Sequence, residues 1–164
     1  MVESNASTHT PQDPSDELTT IVVAVDGSAN AKTVVSMGAR LTRAMPRALV
    51  HVVHVFRTSR LDRPRMGTPP SHADLIEDAK EQLEYHVRTI RKQSRAEVIG
   101  HFALGEPATE ILRLCESLDA DVLVVGTHDY IGFERFLLGS VAETLMRKAG
   151  CPVFVVRPKA HRTA

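Results

Sequence analysis

The sequence carries no excess of charge: Lys plus Arg and Asp plus Glu each total 20 in 164 residues. A nucleic-acid binder is expected to be basic overall or along one face, so this balance argues against that class of partner. Cysteine is scarce as well. Cys115 and Cys151 have 35 residues between them, match no metal-ligand or redox spacing, and sit in apolar surroundings that suit reduced core thiols. No apolar run approaches the roughly 18 residues of a membrane span. The opening "MVESNASTHTPQDPSDEL" lacks the basic start and apolar centre of a signal peptide. It carries Glu3, Asp13, Asp16 and Glu17, no Lys or Arg, and many Ser, Thr and Pro residues. Residues 1–18 therefore read as a disordered acidic tail, residues 19–159 as one domain and residues 160–164 as a short C-terminal tail. The hydrophobic share of 43% and charged share of 24% are those of a globular, cytoplasmic protein.

What is present is an alternation of two periods. "TIVVAV" (20–25) is β-branched and ends at the turn "DGS". Val34, Met37, Leu41 and Met45 then recur at helical spacing, predicting a helix from Asn30 to Met45 with Ser28 as N-cap and Pro46 as terminator. "ALVHVVHVF" (48–56) is a second strand, followed by the loop "RTSRLDRPRMGTPP". Ser71 opens a second helix, buried through Ile76, Ala79, Leu83, Val87 and Ile90, acidic in its first half and basic at its end as the helix dipole favours. "AEVIGHFAL" is a third strand. Pro107 starts a third helix with Ala108, Ile111, Leu112, Cys115 and Leu118 inward. "ADVLVV" is a fourth strand, Ser140 starts the last helix, Gly150 caps it, and "PVFVV" is a fifth strand. Strands that are apolar on both faces and alternate with helices define a doubly wound, three-layer α/β sandwich with a five-stranded parallel sheet.

In such a sheet, ligands bind beyond the carboxyl ends of the strands, where the strand order reverses. That rule selects "DGS", the arginine-bearing loop after the second strand, and "GTHDYIGFERFLLGSV" (126–141) after the fourth. Gly126, Gly132, Gly139 and Ser140 are the parts of a phosphate loop leading into a helix N-terminus. They have a second explanation: Ser140 with Glu143 forms a Ser-x-x-Glu capping box, and Gly126 simply ends a strand. Arg57, Arg60, Arg63 and Arg65, set against Asp62, are either a solvated segment or an anion clamp, and Arg135 is a further cation. His51 and His54 lie on opposite faces of a strand and form no joint metal site. His86 borders the apolar stripe of the second helix, and His128 beside Asp129 is too little for a cation site.

The stretch "GTHDYIGFERFLLGSVAETLMRKAGCPVFVV" resembles the C-terminal signature of the universal stress protein family: Gly, two residues, Gly, nine residues, Gly, Ser or Thr, and finally "CPVxVV". "IVVAVDGS", "HVVHV" and "GEPATEIL" are similar to the family's first strand and turn, second strand and Gly-x-Pro helix start, in the family's order. The resemblance spans Thr19 to Lys159 and implies a Rossmann-like domain of the adenine-nucleotide α-hydrolase type. In members that bind ATP, adenine lies against the positions matching Ala24, Asp26 and Val55, and phosphates against those matching Gly126, Gly139, Ser140 and Val141. A carboxylate at Asp26 suits the adenine amino group as acceptor.

The second glycine of the signature is Asp129 here. A carboxylate about 4 Å from a phosphate charge repels it by about 4 kcal/mol at an effective dielectric of 20, so the substitution is expected to weaken ATP binding by two decades or more. AMP suffers less, and Mg²⁺ is implied only if ATP is held. The resemblance implies a stress-response regulatory protein and not an enzyme. "DGSANA" lacks the Ser-Gly-Gly-x-Asp-Ser of ATP pyrophosphatases, and no acidic pair with a downstream Lys marks a receiver. It further implies a homodimer through the fifth strand, where an unpaired apolar edge is a liability. The alternative is a dimeric interaction module of the same fold that holds no nucleotide.

Overall fold

The computed structural model describes residues 19–45, 47–60, 71–127 and 139–157. Both tails, Pro46 and the segments 61–70 and 128–138 lie outside the described residues. With them lie the readings placed on Arg63, Arg65, His128, Asp129, Gly132 and Arg135.

Five parallel strands form one sheet in the order β3-β2-β1-β4-β5. They are β1 (Thr20–Val25), β2 (Leu49–Phe56), β3 (Glu97–Leu104), β4 (Val122–Gly126) and β5 (Val153–Val156). The helices are α1 (Ala31–Ala44), α2 (His72–Gln93), α3 (Pro107–Ser117) and α4 (Ser140–Lys148), with a short 3-10 turn at Thr58–Arg60. The fold is the doubly wound α/β sandwich that the sequence implies.

Strand alternation divides the core in two. Ile21, Val23 and Val25 of β1 face α1 and α2, where they pack with Val34, Val35, Leu83, Val87 and Ile90. Val22 and Ala24 face the other way and pack with Ala108, Ile111 and Cys115 of α3 and Ala142 and Leu145 of α4. Such a strand is apolar at every position because helices cover both faces. In β1 and β4 the sequence shows this covering without ambiguity. β3 and β5 differ from expectation. As the two edges they are only partly covered: Ile99, Leu104 and Phe154 are among the exposed large hydrophobics.

Two predicted caps also differ. The N-cap of α1 is Asn30, without a side-chain cap bond; the Ser28 N–H instead donates to Asp26 Oδ1 at 3.0 Å, closing an Asx-type turn. α4 ends at Lys148 with Ala149 as C-cap, and Gly150 is not among the residues of positive φ, so no left-handed glycine terminates it. α2 begins as its sequence indicates. Ser71 is its N-cap, the Asp74 N–H donating to Ser71 Oγ at 3.1 Å and the Ser71 N–H to Asp74 Oδ2 at 3.0 Å, a reciprocal capping box. Gly105 is the glycine that its turn demands: φ is 151°, and its N–H donates to Phe56 O at 3.1 Å, fixing the chain between β3 and α3.

Candidate functional site

β1 lies at the centre of the sheet with β2 on one side and β4 on the other, so the chain direction of winding reverses beside it. A cavity of 440 Å³ opens there at the carboxyl ends of the strands, within the range of about 300–1,000 Å³ typical of small-ligand sites. The positions that the resemblance matches to adenine and phosphates all line it: Ala24 and Asp26 at the end of β1, Val55 on β2, Gly126 at the end of β4, and Gly139, Ser140 and Val141 at the start of α4. Asp129 lies outside the described residues.

The α4 end of the cavity is formed by a helix N-terminus. Gly139 is the N-cap, no side chain among the described residues caps the helix, and the first intrahelical bond runs from the Glu143 N–H to Gly139 O at 2.9 Å. The backbone N–H groups of Ser140, Val141 and Ala142 thus have no partner within the helix, and they stand at the positive end of its dipole. The capping box expected from Ser140 and Glu143 is absent, because Ser140 is the first residue inside the helix and not its N-cap. Gly139 has φ −61° and ψ 147°, extended backbone that any residue adopts. Gly126 has a packing reason for its identity: a Cβ there would lie 2.9 Å from Val34 Cγ2.

The opposite end holds Asp26. One of its oxygens accepts the Ser28 N–H. Asp26 also borders a second, more open cleft of 680 Å³, shared with Lys32, Tyr85 and His86. His86 is buried; burial lowers its pKa, the Asp26 carboxylate opposing that shift and Lys32 adding to it.

Several lining residues were not legible as site residues. Asn30 Nδ2 donates to Thr127 O at 3.1 Å, joining the β1–α1 turn to the end of β4. Thr127 is 3% exposed, and its Oγ1 has no hydrogen-bond partner among the described residues. Buried hydroxyls are seldom left that way, and Thr127 lies in the wall of the cavity. Pro107 and Ile111 of α3 also reach the cavity. The available signal was the Gly-x-Pro turn, since the turn after β3 lies at the same carboxyl edge of the sheet. Arg57 is the cationic side chain lining the cavity among the described residues; Glu106 Oε1 lies 3.1 Å from its Nη2, the two side chains being 39% and 56% exposed. A pair that open to solvent contributes little to stability and is easily exchanged for another anion.

His51 and His54 point to opposite faces, as strand geometry requires. His51 Nδ1 meets His101 Nε2 of β3 at 2.7 Å, away from the cavity, while His54 lines it. Among the described residues no group of three or more His, Cys, Asp or Glu is placed to hold a metal, and no helix is long and apolar enough to cross a membrane.

A parallel sheet covered by helices on both faces, with a cavity at its switch point, places the protein among the doubly wound α/β proteins. The family model described as the universal stress protein family matches residues 17–157; this chain belongs to that family. Universal stress protein MJ0531 of Methanocaldococcus jannaschii is 29% identical over 138 residues, covering 84% of this chain and 81% of that protein. Universal stress protein Rv2005c of Mycobacterium tuberculosis is 29% identical over 141 residues, and this chain spans 47% of its length. The solved structure of the Archaeoglobus fulgidus universal stress protein in complex with dAMP is 30% identical, with a TM-score of 0.61 over 85% of this chain and 97% of that one.

Proposed function

We propose that this protein is a regulatory stress-response protein that holds an adenine nucleotide in the 440 Å³ cavity, with AMP favoured over ATP. The observation that carries the reading is that Asp26 and the N-terminus of α4 line one and the same cavity. The base is assigned to the Ala24, Asp26 and Val55 end, where Asp26 accepts from the exocyclic amino group. The phosphate is assigned to the N–H groups opening α4, with Arg57 as counter-charge. The A. fulgidus relative holding dAMP supports a monophosphate ligand. Asp129, three residues beyond Gly126, supplies the argument against a longer phosphate chain; Mg²⁺ belongs to the reading only if ATP is bound. The reading is of a cytoplasmic binding protein and assigns no catalytic residue. Its test is titration with AMP of the wild type and of Asp26→Ala. Loss of one hydrogen bond to the base is expected to weaken binding about tenfold, and equal affinities would remove Asp26 from the site.

The proposal includes a homodimer through β5. What supports it is the exposed edge: among the described residues β5 pairs only with β4, and Phe154 is 45% exposed, an arrangement that strand addition by a second copy would cover. Sedimentation at tens of micromolar is expected to give a dimer and Phe154→Glu a monomer. A monomeric wild type would remove the dimer from the account. The dimer without nucleotide is the second reading, and a silent titration of a dimeric protein would select it.

A further inference from the structure

Cys115 and Cys151 are the only cysteines of the chain, and the fold brings them together. Cys115 lies on the buried face of α3, 5% exposed, and Cys151, half-buried, packs against the same apolar cluster just before Pro152 and β5. Each thiol stands close enough to the other to act on its ionisation. The backbone on both sides is fixed: the Ala120 N–H donates to Cys115 O at 3.0 Å, and the Leu123 N–H to Pro152 O at 2.9 Å. Spacing in the sequence gives no sign of this pairing, because β4 and α4 intervene between the two thiols.

We propose that Cys115 and Cys151 form a reversible oxidation site, closing to an intramolecular disulfide between α3 and the start of β5 when the protein meets a peroxide. The chemistry balances with hydrogen peroxide as oxidant. The Cys151 thiolate, the more accessible of the two, attacks one peroxide oxygen; an S–O bond forms, the O–O bond breaks, and one water leaves as the hydroxide takes up the thiol's proton. Cys115 Sγ then attacks the sulfenic sulfur; the S–S bond forms, the S–O bond breaks, and a second water carries away the Cys115 proton. Two thiols are oxidised by two electrons and one peroxide is reduced to two waters.

The surroundings set the pace. Burial raises the Cys115 thiol to about 12, with Cys151 adding to the shift. Burial also raises the Cys151 thiol, Asp121 contributing in the same direction and hydrogen bonds from Cys115 and the backbone opposing it. Little thiolate is present at neutral pH, so the bridge forms slowly, under sustained oxidant. Once formed, it ties together the two ends of the stretch that contains β4 and α4 and restricts the unfolded chain.

The test uses the full chain, folded, at neutral pH with hydrogen peroxide, followed by non-reducing digestion, mass spectrometry, free-thiol titration and thermal melting. The expected result is loss of both thiols within one chain and a Cys115–Cys151 linked peptide. The melting midpoint should rise by roughly 5–15 °C and return to its starting value on addition of a dithiol. Cys151→Ser is expected to retain its Cys115 thiol under the same treatment. Thiol loss as sulfinic acid without a linked peptide, cross-linking only between chains, or no thiol loss at all would each overturn the proposal. The wild-type digest decides the matter even if a serine variant fails to fold.

Discussion

Asn30 reaches across the mouth of the cavity and donates from Nδ2 to Thr127 O at 3.1 Å. The bond fastens the turn after β1 to the end of β4, the two segments between which a nucleotide is proposed to lie. Removing it with Asn30→Ala is expected to cost about 0.5–1.5 kcal/mol of stability and to weaken AMP binding, because the two walls are then no longer held at a fixed separation. Urea unfolding and titration on the same variant read both effects. An unchanged affinity would show that the walls are positioned by β1–β4 pairing alone.

Gly126 separates packing from ligand binding. Gly126→Ala sets a Cβ 2.9 Å from Val34 Cγ2 and is expected to destabilise the protein by about 1–3 kcal/mol. Combining it with Val34→Ala makes room for the methyl group, so the double variant should be less destabilised than the two single losses summed. Additive losses in urea midpoints would contradict the clash.

Ser140→Glu adds a charge at the first position of α4, where the helix dipole welcomes an anion. Stability is expected to hold or rise by up to about 1 kcal/mol. AMP affinity should fall about tenfold or more through repulsion of the phosphate, while adenosine affinity stays nearly constant. If AMP and adenosine weaken together, the phosphate does not lie at this helix.

The hydrogen-bonded pair His51 and His101 predicts an acid sensitivity with a definite sign. Burial lowers the pKa of both rings from 6.5, His101 adding to the shift of His51 and Glu97 opposing it; buried His86 shifts the same way. Below about pH 6.5 the unfolded chain therefore binds more protons than the folded one, and stability falls as the pH falls. Above that pH the contribution is level. His101→Gln is expected to flatten the dependence between pH 7 and pH 5 in urea midpoints, and a slope that keeps its wild-type value would contradict the assignment.

The sequence was most informative where one physical rule acts alone. β1 and β4 are covered on both faces, so their unbroken apolar runs, alternating with helical periods, led directly to the sheet. The carboxyl-edge rule then selected Asp26, Gly126, Gly139 and Ser140, which the fold brings to one cavity. It was less informative where neighbours decide. Phe154 reads as interior because hydrophobicity does not distinguish a covered strand from an edge. Ser28 and Ser140 have the composition of caps, but the N-cap positions fall on Asn30, itself in the helical region at φ −72° and ψ −20°, and on Gly139, which is extended. Thr127 and Ile111 join the site through topology, and the meeting of Cys115 with Cys151 is likewise a product of tertiary packing.

The most direct test of the account is calorimetric titration with AMP and with ATP, with and without Mg²⁺, on the wild type and on Asp129→Gly. The account predicts that the wild type binds AMP more tightly than ATP and that the glycine variant recovers ATP affinity by tenfold or more. Equal binding of ATP and AMP by the wild type, unchanged in Asp129→Gly, would contradict it.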